Sequence, residues 1–183
     1  MSKLRWAVAS ALALALLLPA TAMAGTKATK CVVSNDGTCV ISGDSVVVHL
    51  DPQSFARATT GGRSYSGNLA SSVDFAFSFT GDIESAVAFA SPRLEIPFSN
   101  PSGGISFATL DASGCGYSES SSAQRISTVL ANCRVLFMGV AYANWDAFVA
   151  SNPTLRLAQG SVWATVQTNA VPFDVTLSNF AFG

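Results

Sequence analysis

The chain has 183 residues, ten basic against eleven acidic, and a formal net charge of −1. Only 11% of residues are charged and 49% are hydrophobic, with aromatics spread along the whole length; this excludes a disordered chain. With no basic cluster, it also argues against a nucleic-acid binder working through phosphate contacts.

The first element is a leader. Lys3 and Arg5 precede an apolar run from Trp6 to about Ala20, and Ala22-Met23-Ala24 gives the small-residue pattern of a cleavage site. The run is shorter than the ~20 apolar residues a membrane span needs, so residues 1–24 are expected to be a cleaved secretory signal peptide. The remainder, 25–183, fits a single domain with its own core. Gly25 rather than a cysteine follows the cut, and Arg5 has no arginine neighbour, so neither a lipid anchor nor a twin-arginine signal is expected. No second hydrophobic helix follows. The expected location is outside the cell or the periplasm, with no transmembrane helix in the mature chain.

All four cysteines, Cys31, Cys39, Cys115 and Cys133, lie in the exported part. In an oxidising compartment they argue for two disulfides. Three pairings exist; Cys31–Cys39 and Cys115–Cys133 are favoured because each closes a local loop. Asn35-Asp36-Gly37 supplies turn chemistry between the first two. A zinc site is disfavoured because no CxxC pair and only one histidine are present.

Further along, residues alternate with period two. Ser45–Asp51 reads as a strand with Val46, Val48 and Leu50 inward. Val73, Phe75, Phe77 and Phe79 form a second apolar face, and Leu94, Ile96 and Phe98 a third. Arg134–Tyr142 is apolar on both faces and reads as a central or doubly covered strand. Asn144 is placed to cap a short helix, Trp145–Ser151, that Asn152-Pro153 stops. Thr154–Ala158 and Ser161–Thr168 read as a hairpin turning near Gln159-Gly160. Val171, Phe173, Val175 and Leu177 close the pattern. Turns at Thr60-Gly61-Gly62, Thr80-Gly81-Asp82 and Asn100–Gly104 separate these runs, and Ser113–Ala123 reads as a loop. The expectation is an all-β, antiparallel β-sandwich, jelly-roll-like, with one short helix and two disulfides.

Catalytic constellations fail on reach. Gly43-Asp44-Ser45 resembles the nucleophile block of GDSL hydrolases, but the single histidine, His49, lies four residues on along the same strand. That is roughly 13 Å at ~3.3 Å per residue, beyond proton-transfer distance. Gly116-Tyr117-Ser118-Glu119-Ser120 lacks the second glycine of a nucleophile elbow. No catalytic residue, metal ligand or cofactor is assigned.

One residue stands out. In Ser161–Gln167 the apolar face is Val162, Ala164 and Val166, which leaves Trp163 beside Thr165 and Gln167 on the polar face. A flat apolar ring with hydrogen-bonding neighbours suits a sugar, with its apolar face and polar edges. Trp163, Thr165 and Gln167 are therefore the expected ligand-binding residues; burial of Trp163 under a loop or the helix is the rival.

Asn144-Trp145-Asp146-Ala147-Phe148, Asn152-Pro153, the Trp163 strand and Pro172–Phe180 together resemble the closing part of secreted galactose-binding-like jelly-roll domains. The resemblance covers about a quarter of the exported chain and holds no specific motif. It implies a β-sandwich, often with a carbohydrate ligand and sometimes a structural calcium. The leading expectation is a non-catalytic binding module for a glycan or other extracellular ligand. The others are a surface-assembly subunit that self-associates through its final strand, an outer-membrane barrel and a hydrolase.

Overall fold

A computed structural model describes residues 26–60, 65–84, 91–118 and 123–182. The expected leader, the expected turn at Gly61-Gly62 and the Glu119-Ser120 part of the expected serine-rich loop lie outside the described residues. Two antiparallel sheets pack face to face. The first holds β1 (Lys30–Ser34), β4 (Phe55–Thr59), β6 (Arg93–Ser99), β7 (Ile105–Asp111), β9 (Val135–Phe137), β10 (Val140–Tyr142) and β11 (Trp163–Gln167). The second holds β2 (Gly37–Ser42), β3 (Ser45–Leu50), β5 (Phe75–Gly81), β8 (Gln124–Ser127) and β12 (Phe173–Phe182). Their orders are β1-β4-β11-β6-β7-β9-β10 and β2-β3-β12-β5-β8. This is the expected antiparallel sandwich.

Period-two alternation builds the core. Phe75, Phe77 and Phe79 meet Phe173, Leu177 and Phe180 from the central strand of the second sheet, while Leu94, Ile96 and Phe98 fill the gap from the first. Phe75 stands edge-on to both Tyr65 and Phe182, and Phe98 edge-on to Phe137 and Phe148. Each such buried side chain contributes about 1.5–3 kcal/mol relative to exposure. In β12 the alternation breaks once. The register against β5 shifts between Ser178 and Ala181, and Asn179 takes a positive φ of 50°. This bulge re-aims the strand so that Phe180 and Phe182 turn inward like Phe173 and Leu177.

Both favoured disulfides form, Cys31–Cys39 and Cys115–Cys133. The first joins β1 of one sheet to β2 of the other; the second ties the turn after β7 to the segment before β9. The predicted helix is α1 (Trp145–Ser151), with the Asn144 side chain accepting from Ala147 N. Trp145 and Phe148 bury their rings under one end of the first sheet.

Two expectations are corrected. Arg134–Tyr142 is not one central strand but a tight hairpin at the sheet edge. Met138 and Gly139 both take positive φ, 50° and 81°, which reverses the chain as mirror-image hairpin turns require. Thr154–Ala158 does not pair with the Trp163 strand. It makes only isolated bridges, Leu69 with Arg156 and Phe98 with Leu157, while β11 inserts between β4 and β6.

Candidate functional site

The outward face of the first sheet carries the polar side of β11. Cross-strand register sets Thr165 level with Arg57 and Arg93, and Trp163 level with Glu95. The polar residues there form one network. Glu95 accepts from Arg93 Nε at Oε1 (2.8 Å), and at Oε2 from Arg57 Nη2 (3.0 Å) and Thr165 Oγ1 (2.8 Å). Arg93 Nη2 donates to Gln167 Oε1 (2.9 Å). Arg93, Glu95 and Thr165 are buried although they point away from the core. Burial of such charges is tolerated because each meets an opposite charge and hydrogen bonds.

The three expected ligand residues thus divide. Trp163 is half-buried and keeps part of its surface to solvent. Thr165 is fully buried and its hydroxyl is committed to Glu95. Gln167 is half-buried, with its carbonyl oxygen accepting from Arg93. Thr165 and Gln167 form the floor beside Trp163 rather than a free polar edge.

Two aromatics escaped the sequence reading. Phe107 is 41% exposed and shares the outward face with Thr109. It lies two strands from Trp163 and two residues further along, about 12 Å away at ~4.8 Å per strand and ~3.3 Å per residue. Phe55 lies under the Arg57 guanidinium, 5.4 Å from ring centre to carbon, within cation–π range. The signal was in the sequence: Phe107 has the parity of Thr109 and Asp111, as Trp163 has that of Thr165. The face therefore presents separated aromatic platforms around a rigid, charged floor.

The other concavities offer less. A cleft of ≈ 450 Å³ at one end of the sandwich is lined by Asn100, Asn152 and Arg156 among others. Its polar groups already hold loops in place. Asn100 Oδ1 accepts from Gly104 N, Asn152 Nδ2 donates to Phe148 O, and Arg156 Nη1 donates to Gly67 O. On the second sheet His49 Nδ1 meets Asp174 Oδ1 at 2.8 Å. That hydrogen bond, then the carboxylate's charge, raises the His49 pKa above its usual value. Ser45 and His49 sit at opposite ends of β3, so the residues of the GDSL-like block do not converge. Among the described residues no group of three or more His, Cys, Asp or Glu side chains gathers to hold a metal ion.

No protein family matches the chain, and no curated protein matches it. Among solved structures it is similar to one described as giving the structural basis for the promiscuous specificity of carbohydrate-binding modules from the β-sandwich superfamily. The two are 15% identical, with a TM-score of 0.35; the match covers 87% of this chain and 55% of that one. The chain thus spans about half the length of that structure. No described helix is long and apolar enough to cross a membrane.

Proposed function

We propose that the protein is a non-catalytic glycan-binding module, exported by its leader, that holds its ligand on the outward face of the first sheet. The observation that carries this reading is that half-buried Trp163 and exposed Phe107 share one face with the Arg57–Glu95–Arg93 network, of which Arg93 and Glu95 are buried and Arg57 partly exposed. Aromatic faces take the C–H surface of a sugar ring, and their spacing matches a short oligosaccharide rather than a single ring. A floor locked by charged hydrogen bonds costs little ordering entropy on binding. Two disulfides fit an oxidising compartment.

The test is retention on immobilised polysaccharides for the parent, Trp163→Ala and Phe107→Ala. Loss of binding by both folded variants supports the reading; retention unchanged in both removes this face from consideration.

A second reading, self-assembly, is favoured by one observation. β2 is an edge strand without a charged residue, and it leaves Val40 57% and Ile41 40% exposed. Uncharged open edges pair with other strands. The final strand is not the donor in this reading, because β12 is already paired on both sides, with β3 and β5. Light scattering across a dilution series decides: a dimer lost in Val40→Lys supports assembly, and a monomer at every concentration ends it.

A further inference from the structure

We propose that the ligand of the first sheet's outward face is an anionic polysaccharide, one bearing carboxylate or sulfate groups. This rests on the glycan-binding reading and names the chemistry of its ligand.

The chain as a whole is net negative, at −1, yet among the described residues the carboxylates on the strands of this face are hidden. Glu95 is 7% exposed and has both oxygens engaged. Asp111 is 3% exposed, and its Oδ1 accepts from Gly114 N and Ser113 Oγ. The cations are the groups a ligand meets. Lys30 pairs across from Thr59 on the outward side of β1 and is exposed. Arg134, two residues before Leu136 and of the same parity, is exposed beyond Asp111. Arg57 lies between them, its side chain 35% exposed. Glu84 lines a different cleft, with Asp82 and Pro172.

Arg57 is also partly open to solvent. Its Nη2 serves Glu95 and its Nε is enclosed, yet the side chain as a whole is 35% exposed. A guanidinium that keeps accessible surface beside aromatic rings matches a sugar whose ring stacks while its acid group meets the cation. A neutral sugar accepts hydrogen bonds from such a group but brings no opposite charge to it. A single nucleic-acid strand fits less well, since Trp163 and Phe107 stand about 12 Å apart by strand geometry, several times the ~3.4 Å step between stacked bases.

The test is affinity electrophoresis of the whole purified chain through gels containing polygalacturonate, dextran sulfate, neutral dextran or neutral xylan, with a labelled oligothymidine as a separate arm. The expected result is binding to at least one anionic polymer about tenfold tighter than to either neutral one, the margin of one charge-assisted hydrogen bond. The margin should shrink as salt is raised. Preference for polygalacturonate assigns a carboxylate, and preference for dextran sulfate assigns a sulfate. Arg57→Gln should remove most of the margin and Arg57→Lys less of it. If Arg57→Gln fails to fold, the double variant Lys30→Gln with Arg134→Gln replaces it, because both side chains are exposed. Equal binding to neutral and anionic polymers overturns this inference and leaves the glycan reading standing. Binding to no polysaccharide, with or without capture of the oligothymidine, overturns both.

Discussion

Asn179 and Glu95 show how single residues hold positions the rest of the sheet depends on. Asn179 occupies the left-handed region at the β12 bulge, which asparagine tolerates far better than a β-branched residue. Asn179→Val should therefore cost about 1–2 kcal/mol, read as a lower urea midpoint, while Asn179→Gly should be near neutral. Glu95 bridges two guanidiniums. Glu95→Ala removes the carboxylate that both meet, and an expected loss of about 3 kcal/mol is checked by the same denaturation. His49 gives a pH signature. Its pairing with Asp174 raises the folded-state pKa above the ordinary value of 6.5. The contribution is therefore full below the unfolded pKa and is lost as pH rises through the folded one. Thermal scans from pH 5 to 9 should show a small decline across that window, absent in His49→Gln and weakened by salt, because the pair is exposed.

At the scale of elements, what the sequence made legible was where alternation ran unbroken. β3, β5 and β6 announce themselves because one face is wholly apolar, and α1 because asparagine before it and proline after it leave few other conformations. The hairpin β9–β10 hid because Val135–Tyr142 is apolar throughout, and only the left-handed backbone at Met138-Gly139 reveals the reversal. The candidate site was half legible. Trp163 stood out as an aromatic in a polar row, but no local pattern tells that Arg57 and Arg93, from strands far apart in sequence, flank Thr165 and close its hydroxyl off from solvent. Phe107 is readable by parity alone, but Ile105 shares its face, so two large apolar residues stand on the outward side of β7 and no polar alternation marks it. The disulfides belong to this scale too. Their sequence separations of 8 and 18 residues give about 2.5 and 3 kcal/mol by loop entropy. Cys31→Ser with Cys39→Ser should lower stability by about the first amount and, because that bridge joins the two sheets at β1 and β2, should speed amide exchange in those strands first.

Across the whole molecule the pairings are long-range. His49 and Asp174, side by side on neighbouring strands, are 125 residues apart in sequence. Chains dominated by such contacts fold in milliseconds to seconds rather than microseconds, and stopped-flow refolding followed by the fluorescence of buried Trp145 should fall in that slower range. Close backbone approach adds a constraint at Gly81, where a Cβ would collide with Asp174 O and lie 2.7 Å from Val175 Cα. Gly81→Ala should push β5 away from β12 and lower the thermal midpoint by several degrees, since about 1 kcal/mol moves a domain of this size by about 2–4 °C.

The place of β12 bears on how the molecule is made. Of the described strands, the one furthest along the chain, β12, fills the middle of the second sheet. Until Phe173–Phe182 arrives, β3 and β5 have no common neighbour, and a nascent chain holds two half-sheets with an open seam between them. The second sheet therefore closes only when β12 is delivered, so the order of the strands along the chain acts as a timer on that closure.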